Sequence, residues 1–318
     1  MKFGRTISAI RDQRDGTGCV ITIGTYDGVH LGHQSIIRQV VDKARKDNVA
    51  STLMCFEPTP KEFFRPDEPP GRLTRFREKF QILKSLEIDE LFCPRFNPAM
   101  RNMSPDAFIE DFLLDGLGVQ HVVVGDDFRY GARAAGNVEH LRRLSEQHGF
   151  DVTVVPPVDI DGRRVSSSAI RRAFEAGDLD TVRDMLGRHY SMSGPVIHGQ
   201  QLGRTLGFPT ANIPVKRRKT ATSGIFAVRV HGLDEGVLDG VASLGTRPTV
   251  TGDGDGDGEM LLEVFIFDFD RFIYGEYLEV DLIAKLRDEE KYPNLDVLVE
   301  QMHRDVQNAK QALAQNPG

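Results

Sequence analysis

Two histidines three positions apart, His30 and His33, follow a short turn that contains Gly24 and Gly28. Residues 18–23 before the turn are largely apolar and predict a buried strand, and residues 34–46 after it carry apolar side chains at helical spacing. Backbone N–H groups at the start of a helix bind anions. Two imidazoles beside them are suited to hold the charge that develops on a phosphoryl group under attack. This arrangement predicts a nucleotidyl-transfer site.

Two other interpretations of the histidine pair stay open on these residues alone. A four-residue pattern also occurs by chance in ordinary surface or hydrogen-bonded histidines. Histidines three apart on one helical face also suit a metal ion, although no HExxH pattern and no neighbouring cysteine accompany this pair. The preceding strand and the glycine-bearing turn favour nucleotidyl transfer.

Two further segments of the first half carry polar groups next to predicted elements. Residues 122–131 read as a strand that enters a polar turn, where Asp127 and Arg129 would contact a base, a ribose or a second substrate. A turn closed by its own Asp side chains is the alternative. In residues 164–172, three serines precede a helix predicted over 169–176, and with Arg171 they form a cradle for a triphosphate. A plain serine N-cap with solvent-facing arginines is the alternative there.

In the second half, a glycine-rich basic turn precedes Thr210 and Asn212. Neutral oxygen ligands suit a magnesium ion shared with ATP phosphates, because Mg²⁺ needs few protein ligands. Glu263 is one acid in an otherwise apolar strand. It would serve either as a base that activates a substrate hydroxyl or as an edge carboxylate facing water.

Composition bounds the class of protein. The 318 residues suffice for two domains, and 40% hydrophobic with 27% charged residues are typical of a soluble globular chain. No apolar run approaches the roughly 20 residues of a membrane span, and the first residues lack signal-peptide features. Three widely spaced cysteines in apolar surroundings indicate reduced thiols and a cytoplasmic protein. A net charge of −7 argues against nucleic acid as a partner. The oligomeric state stays open.

In the first half of the chain, the elements that position the candidate site residues alternate between strand and helix. Strands are predicted over 19–23, 50–56, 90–93, 121–124 and 152–155. Helices are predicted over 34–46, 74–86, 105–114 and 138–148. Such alternation predicts an α/β domain with a parallel sheet, whose ligands bind at the carboxyl ends of the strands.

Beyond Gly187 the pattern changes to strands without intervening helices. Strands are predicted over 225–231, 241–244, 261–267 and 277–282, which indicates an antiparallel sheet or small barrel. A helix over 293–315 carries an apolar stripe that should pack on this barrel. The predicted domains are therefore residues 1–186 and 187–318.

Two charged segments have a functional and a plain interpretation. Residues 253–259 begin like a calcium loop, but Val264 stands where such a loop requires Glu, so we predict a solvated hairpin tip. The basic run 216–219 would face phosphates or, as we favour, form a solvated loop.

Taken together, these motifs resemble the bacterial bifunctional riboflavin kinase/FMN adenylyltransferases, also called FAD synthetases. GTYDGVHLGH, VVGDDFRYG and VSSSAIR are similar to motifs of the adenylyltransferase domain. GRTLGFPTANI, LEVFIFDF and LRDEEKYPNLDVL are similar to motifs of the kinase domain. The resemblance implies a Rossmann-like nucleotidyltransferase domain followed by an antiparallel β-barrel kinase domain with a C-terminal helix.

The resemblance also implies two reactions, with ATP as co-substrate and Mg²⁺ as cofactor. Riboflavin would become FMN, and FMN would become FAD with release of pyrophosphate. His30, His33 and Glu263 would be catalytic. Residues implied to bind ATP or FMN for adenylyl transfer are Gly24, Tyr26, Asp27, Asp127, Arg164, Ser167, Ser168 and Arg171. Residues implied to bind ATP or flavin in the kinase are Gly203, Arg204, Thr210, Asn212 and Arg287, with Thr210 and Asn212 at the metal and Arg287 in a loop over the flavin.

Thr59 is the main departure from the family pattern, which has histidine there. It motivates an alternative in which the kinase is intact and adenylyl transfer is weakened or altered. A third hypothesis, a flavin or nucleotide sensor without turnover, is disfavoured because a pure binder needs no base such as Glu263.

Overall fold

A computed structural model describes residues 1–14, 17–199, 203, 206–217, 219–247 and 259–316 of the chain. They form two compact units. The first comprises residues 1–70 and 74–166, and the second comprises residues 71–73 and the described chain from Ser167 onward. The domain boundary predicted between residues 186 and 187 stays a prediction. Within the described ranges, no helix is both long enough and apolar enough to cross a membrane.

The first unit is built on a sheet of six parallel strands. They are β1 (Lys2–Gly4), β2 (Cys19–Ile23), β3 (Ala50–Met54), β4 (Glu90–Phe92), β5 (Val119–Gly125) and β6 (Asp151–Val155). Their order across the sheet is β1-β4-β3-β2-β5-β6. All five residues of β2 are buried, as expected for a central strand with both faces covered.

Strand β2 lies where the order of the sheet reverses. The chain adds β3 and then β4 on one side of β2, and it returns to the other side to add β5 and β6. In open parallel sheets, ligands bind at such a switch point, outside the carboxyl ends of the strands. The turns that follow β2 and β5 therefore meet at the place where this fold accommodates a ligand.

Helices cover both faces of the parallel sheet and create two hydrophobic cores. They are α1 (Ile7–Arg11), α2 (Leu31–Asp47), α3 (Pro60–Phe64), α4 (Phe76–Ser85), α5 (Pro98–Asn102), α6 (Pro105–Ala107), which continues into a π-helix (Phe108–Gly116), and α7 (Val138–His148). A short hairpin of β7 (Asp159–Ile160) and β8 (Arg163–Arg164) follows. The predicted α/β class and parallel sheet are confirmed. The sequence reading missed β1, which is three residues long and pairs only with β4.

The second unit contains a six-stranded antiparallel sheet. Its strands are β9 (Tyr190–Pro195), β10 (Ala211–Pro214), β11 (Gly224–Leu233), β12 (Gly236–Arg247), β13 (Glu259–Ile266) and β14 (Tyr277–Arg287), in the order β10-β13-β12-β11-β14-β9. The N–H group of Ile197, just after β9, donates to the Asn212 carbonyl over 2.9 Å, so the two edges of the sheet meet. Gly194 permits this approach, since a Cβ atom there would lie 2.8 Å from Ile213. The predicted antiparallel barrel is confirmed.

The helices of the second unit whose bounds the structure describes are α8 (Ser167–Glu175), α9 (Leu179–Leu186) and α10 (Leu295–Gln315). Ala309 and Leu313 of α10 pack against the barrel, as predicted for the C-terminal helix. Leu298 and Met302 belong to the predicted apolar stripe, but they line a cavity between α10 and the strands, so the stripe packs on the barrel only in part. The basic run 216–219 was also misjudged at Arg217, which is buried and donates to the hydroxyl of Tyr190. Of the hairpin tip predicted at residues 253–259, residues 253–258 lie outside the described residues, and Glu259 is the first residue of β13.

Candidate functional site

The turn after β2 has an unusual backbone. Tyr26 and Val29 adopt left-handed conformations, with φ of 48° and 44°, and Gly28 has a φ of 87°. Such conformations cost free energy in non-glycine residues and concentrate at functional sites. The Tyr26 side chain is buried, and its hydroxyl shares a hydrogen bond of 2.5 Å with Thr22 Oγ1. The Tyr26 hydroxyl, present where the family pattern has Phe, therefore has a partner inside the protein.

Asp27 ties this turn to the start of α4. Its Oδ1 accepts from the Thr74 N–H group over 3.0 Å, and Thr74 Oγ1 accepts from the Gly28 N–H group over 3.1 Å. The contacts described for Asp27 are therefore structural, and its predicted contact with ATP or FMN stays a prediction. Gly24 sits against the Tyr26 ring, because a Cβ atom there would lie 3.0 Å from that ring.

The two histidines meet at the N-terminus of α2. His30 is the N-cap residue, and its Nδ1 accepts from the His33 N–H group over 3.3 Å. Their rings stack with centroids 3.6 Å apart and planes inclined by 16°. Gly32, between them, leaves space for the His30 ring, since a Cβ atom at this position would lie 3.2 Å from that ring. The two histidines therefore lie together at the start of a helix, as their spacing predicts.

His33 is an uncharged imidazole at neutral pH. Burial, followed by the neighbouring His30 and the Lys79 ammonium, lowers the pKa of His33 well below its usual value. Its Nδ1 is buried and has no hydrogen-bond partner among the described residues. Because a buried polar atom without a partner costs free energy, this nitrogen is suited to contact a substrate oxygen.

Lys79 is a residue of this site that the sequence reading missed. It is 5% exposed, and its Nζ donates to the Thr25 carbonyl over 2.6 Å, directly on the turn after β2. The helical spacing could have predicted its burial, because Lys79 lies on the same face of α4 as Phe76 and Leu83. A buried lysine on such a face requires an explanation other than solubility.

Asp127 and Arg164 come from distant motifs and meet in the structure. Arg164 Nη2 lies 2.8 Å from Asp126 Oδ1 and 3.3 Å from Asp127 Oδ2. Asp127 follows β5, the strand next to β2, so it lies at the switch point of the sheet. All three side chains are exposed, which leaves this exchangeable ion pair open to a ligand.

Ser167, Ser168 and Arg171 begin helix α8 and belong to the second unit. Arg171 Nε donates to the Gly71 carbonyl over 2.8 Å, and its Nη1 donates to the Ser167 carbonyl over 3.3 Å. The described contacts of Arg171 are thus with backbone, and the predicted triphosphate cradle stays a prediction.

Thr59, the departure from the family pattern, is the N-cap of α3. Its Oγ1 accepts from the Glu62 N–H group over 3.3 Å, and Glu62 Oε2 accepts from the Thr59 N–H group over 2.9 Å. This reciprocal pair is a capping box. The residue that replaces histidine therefore has a structural task of its own.

A cavity of about 660 Å³ in the second unit collects most of the predicted kinase residues. Asn212 on β10 pairs with Glu263 on β13, which pairs with Ser243 on β12. Ser243 pairs with Ile225 on β11, and Ile225 pairs with Arg287 on β14. These five residues form one row across five strands, and side chains in such a row share a face of the sheet. All five line the cavity.

The amide of Asn212 is held at the floor of this cavity. Asn212 is 5% exposed, and its Nδ2 donates to the Thr210 carbonyl over 3.2 Å. Its Oδ1 is buried and has no partner in the described part of the chain. Gly199 leaves room for the amide, because a Cβ atom there would lie 2.5 Å from Nδ2. The side chain therefore presents one oxygen acceptor in a fixed direction.

Thr210 and Asn212 also line a second, smaller cavity of about 170 Å³. Its other wall is a loop that carries aromatic residues, including Phe272 and Tyr274, which are 65% and 38% exposed. The Tyr274 ring stacks on His198 with centroids 3.8 Å apart. The two cavities thus share the oxygen-bearing residues Thr210 and Asn212 in their walls.

Arg287 was predicted in a loop over the flavin, and this placement is wrong. It is the last residue of β14, because its backbone pairs with Ile225 on β11. Its Nε and Nη2 donate to the two oxygens of Asp305 on α10, over 2.9 and 2.7 Å. This bidentate pair raises the pKa of Arg287, and Asp305 is buried. Gly203 lines the cavity, and its predicted contact with ATP or flavin stays a prediction, while Arg204 lies outside the described residues.

Comparison with known proteins covers both halves of the chain. The family described as FAD synthetase matches residues 12–169, and the family described as riboflavin kinase matches residues 186–313. The chain is 40% identical over 311 residues to the bifunctional riboflavin kinase/FMN adenylyltransferase of Escherichia coli, covering 98% of this chain and 97% of that protein. This chain belongs to the bifunctional riboflavin kinase/FMN adenylyltransferase family.

A second member of the bifunctional family has the same level of identity. The protein of Haemophilus influenzae is 40% identical over 293 residues, covering 92% of this chain and 94% of that protein. A solved structure from Streptococcus pneumoniae, described as a macrolide-efflux protein, has a TM-score of 0.78 at 26% identity and covers 99% of each chain. The resemblance inferred from the motifs is confirmed. Because both family matches and the bifunctional relatives cover the chain, the bifunctional hypothesis is favoured over an intact kinase with a weakened or altered adenylyltransferase domain.

Proposed function

We propose that this chain makes FMN from riboflavin in its second unit and FAD from FMN in its adenylyltransferase domain, using ATP for both. The observation that carries the proposal is the row Asn212–Glu263–Ser243 on the cavity face of the barrel. A carboxylate that has a neutral polar residue on either side of it in the row is suited to general-base chemistry on a hydroxyl. Binding of a flavin without turnover requires no general base, so Glu263 favours catalysis over binding alone.

In the kinase reaction, Glu263 takes the proton from the ribityl 5′-hydroxyl of riboflavin. That oxygen then bonds to the γ-phosphorus of ATP, the bond from this phosphorus to the β,γ-bridging oxygen breaks, and ADP leaves. Phe208, Ile225 and Phe265 provide apolar walls of the larger cavity, which suit the flat flavin ring. Positioning of this kind supplies most of the rate in phosphoryl transfer.

The two cavities that share Thr210 and Asn212 suggest a separate place for each substrate. The smaller cavity with exposed Phe272 and Tyr274 suits the base of ATP, since aromatic rings stack on nucleobases. The larger cavity with Glu263 suits riboflavin. The reacting phosphate then lies between them, near the two oxygen-bearing side chains.

The donor set fits a magnesium ion held together with ATP. The described residues contain no group of three His, Cys, Asp or Glu side chains that would hold a metal by itself. Asn212 Oδ1 is buried without a partner in those same residues, and Thr210 is beside it. Mg²⁺ bound there would neutralise phosphate charge, using few protein ligands and several waters. Asn212 and Thr210 would orient it through neutral oxygens.

In adenylyl transfer, a phosphate oxygen of FMN attacks the α-phosphorus of ATP. The bond from that phosphorus to the α,β-bridging oxygen breaks, and pyrophosphate leaves. The N-terminus of α2 and the imidazoles of His30 and His33 stabilise the charge on the reacting phosphate. The neutral state of His33 supports this role, because a neutral imidazole donates one N–H group without adding charge.

The remaining adenylyltransferase residues take the roles that the resemblance implies. Asp127 lines the cleft for FMN and ATP, while Arg164, Ser167, Ser168 and Arg171 bind phosphates. The exposed ion pair of Arg164 supports this, because its carboxylate partners are exchangeable for phosphate oxygens.

The three cysteines are buried and free, which supports a cytoplasmic location.

The test supplies the purified protein with Mg²⁺ and ATP plus either riboflavin or FMN, and separates FMN from FAD by chromatography. Glu263→Gln should stop FMN formation from riboflavin but still convert FMN to FAD. His33→Ala should stop FAD formation and still produce FMN. Glu279→Gln and His148→Ala, both at exposed positions, are the matched controls. An active Glu263→Gln kinase, or an active His33→Ala adenylyltransferase, would overturn the corresponding assignment.

A further inference from the structure

The segment between β14 and α10, residues 288–294, runs along the rim of the larger cavity. Both of its ends are fixed. Before it, Arg287 is bound to Asp305 through two hydrogen bonds. At its end, Asn294 caps α10, with its Oδ1 accepting from the Val297 N–H group over 3.0 Å. Between these ends, the Arg287 guanidinium lies 5.7 Å from the centroid of the Tyr292 ring, and a further contact joins the segment to β12.

Glu289 provides that contact with β12. Its Oε1 accepts from the Ser243 hydroxyl over 3.1 Å. Its carboxylate also lies directly over Gly245, where a Cβ atom would fall 2.0 Å from Oε1 and 2.4 Å from Cδ. Ser243 and Gly245 are two residues apart on one strand and share a face. The Glu289 carboxylate thus occupies a position from which a side chain at residue 245 would displace it.

The contact joins the rim segment to the proposed base. Ser243 is the cross-strand partner of Glu263. The groups that act on Glu289 are Ser243, Glu263 and Arg287. Loss of solvation and the charge of Glu263 raise the pKa of Glu289, while Ser243 and Arg287 oppose this shift. Ser243 is therefore the cross-strand neighbour of one carboxylate and the hydrogen-bond donor to the other, and its one proton is donated to Glu289.

We propose that Glu289 is a positioning residue of the kinase site that acts through Ser243. It anchors the rim segment on β12 and so fixes one wall of the flavin cavity. By accepting the Ser243 proton, it also keeps that proton away from Glu263, since a hydrogen bond donated to a carboxylate weakens it as a base. This inference rests on the proposed role of Glu263 and extends it to two residues that contact no reacting atom.

The test measures kcat and KM for riboflavin in the full-length protein. Glu289→Ala should raise KM about tenfold, because the anchor is lost, and should lower kcat, because Ser243 becomes free to donate to Glu263. Ser243→Ala combined with Glu289→Ala should restore kcat while KM stays high. A merely structural role would not produce that split. Glu289→Gln, which keeps an acceptor for Ser243, should retain a KM near the wild-type value.

Gly245→Ala provides an independent arm, because the added methyl group would displace the Glu289 carboxylate. It should raise KM in the wild-type protein and have little further effect in the Glu289→Ala background. Additive effects of the two substitutions would overturn this position of the Glu289 carboxylate over Gly245. A Glu289→Ala protein with unchanged KM would overturn the anchor, and failure of Ser243→Ala to restore kcat would overturn the shielding of the base. Glu300→Ala, an exposed change on α10, is the control, and thermal unfolding monitors folding throughout.

The outcome stays separate from the test of Glu263 itself. If Glu263→Gln keeps its kinase activity, the assignment of the base fails. The KM effects of Glu289→Ala and Gly245→Ala still report the anchor, because they depend on the shape of the cavity and not on proton transfer.

Discussion

Asn212 and Glu263 face each other directly across the paired strands β10 and β13. Side chains in such a pair have Cβ atoms about 5 Å apart, so the amide of Asn212 and the carboxylate of Glu263 lie close together at the same part of the cavity. Backbone hydrogen bonds of the barrel maintain this relationship, without help from a loop. A substitution at either residue should therefore change the chemistry of the kinase while the fold persists.

Asn212→Ala should lower the rate of FMN formation about a hundredfold, because it removes the buried Oδ1 that is suited to the metal-bound phosphates. Conversion of supplied FMN to FAD should stay unchanged. Both rates are measured over a range of magnesium concentrations, with the exposed Asn102→Ala as control. Equal losses in both reactions would show that the effect is not confined to the kinase.

The burial of neutral His33 makes stability depend on pH. An unfolded histidine takes up a proton near pH 6.5, whereas the folded protein holds the pKa of His33 well below that value. As pH falls below about 6.5, the unfolded state binds more protons, and the free energy of unfolding decreases by at most about 1.4 kcal/mol per pH unit. His33→Asn should lose less stability than the wild type between about pH 7.5 and about pH 5.5 in thermal unfolding. Parallel losses in the two proteins would contradict this.

Lys79→Met should move the acid limb of FAD formation to higher pH. The Lys79 ammonium is one of the groups that lower the pKa of His33, so its removal lets His33 take up a proton more readily. The measurement is the pH profile of FAD formation from supplied FMN. Lys43→Met changes a lysine of α2 whose described ion pairs are with Asp47 and Asp151, and it should leave the profile in place. An unshifted limb in Lys79→Met would contradict the coupling.

Thr59→Ala should reduce the stability of the protein by about 1 kcal/mol, because α3 loses its N-cap. Thr59→Ser keeps the hydroxyl and should retain most of that stability. Since the Thr59 hydroxyl is used within the helix, FAD formation should change less than about twofold in either variant. A large loss of FAD formation in a stable Thr59→Ala protein would show instead that this hydroxyl contacts substrate.

Asp305→Ala should destabilise the second unit by about 3 kcal/mol, because it leaves the Arg287 guanidinium without its bidentate partner. Arg287→Lys keeps the charge but not the planar fork, so it should lose part of this stability. Thermal unfolding of the two single variants and the double variant measures the coupling. Additive effects would mean that the pair contributes little.

The short-range features of the molecule were accessible from the sequence. The histidine pair at a strand–helix junction and the alternation that predicts a parallel sheet depend on neighbouring residues, whose types report hydrophobic period and turn formation. Glu263 was recognisable as one acid in an apolar strand. Motif resemblance supplied the roles of Thr210 and Asn212, whose local pattern alone is not distinctive.

Other features depend on residues far apart in the chain. The row from Asn212 to Arg287 follows from the register of five strands, and a one-residue shift would turn each side chain to the other face. Arg287 was misplaced in a loop because nothing near it in sequence reveals Asp305 on α10.

The amino-acid sequence by itself thus determined the fold class, the family and the identity of the groups suited to chemistry, because these depend on local pattern. Only the tertiary structure decided that His33 is neutral, that Thr59 caps a helix and that Glu289 rests on Gly245 beside the proposed base. These properties arise from burial and close packing between distant segments. Such contacts are set by the whole fold and not by the order of neighbouring residues.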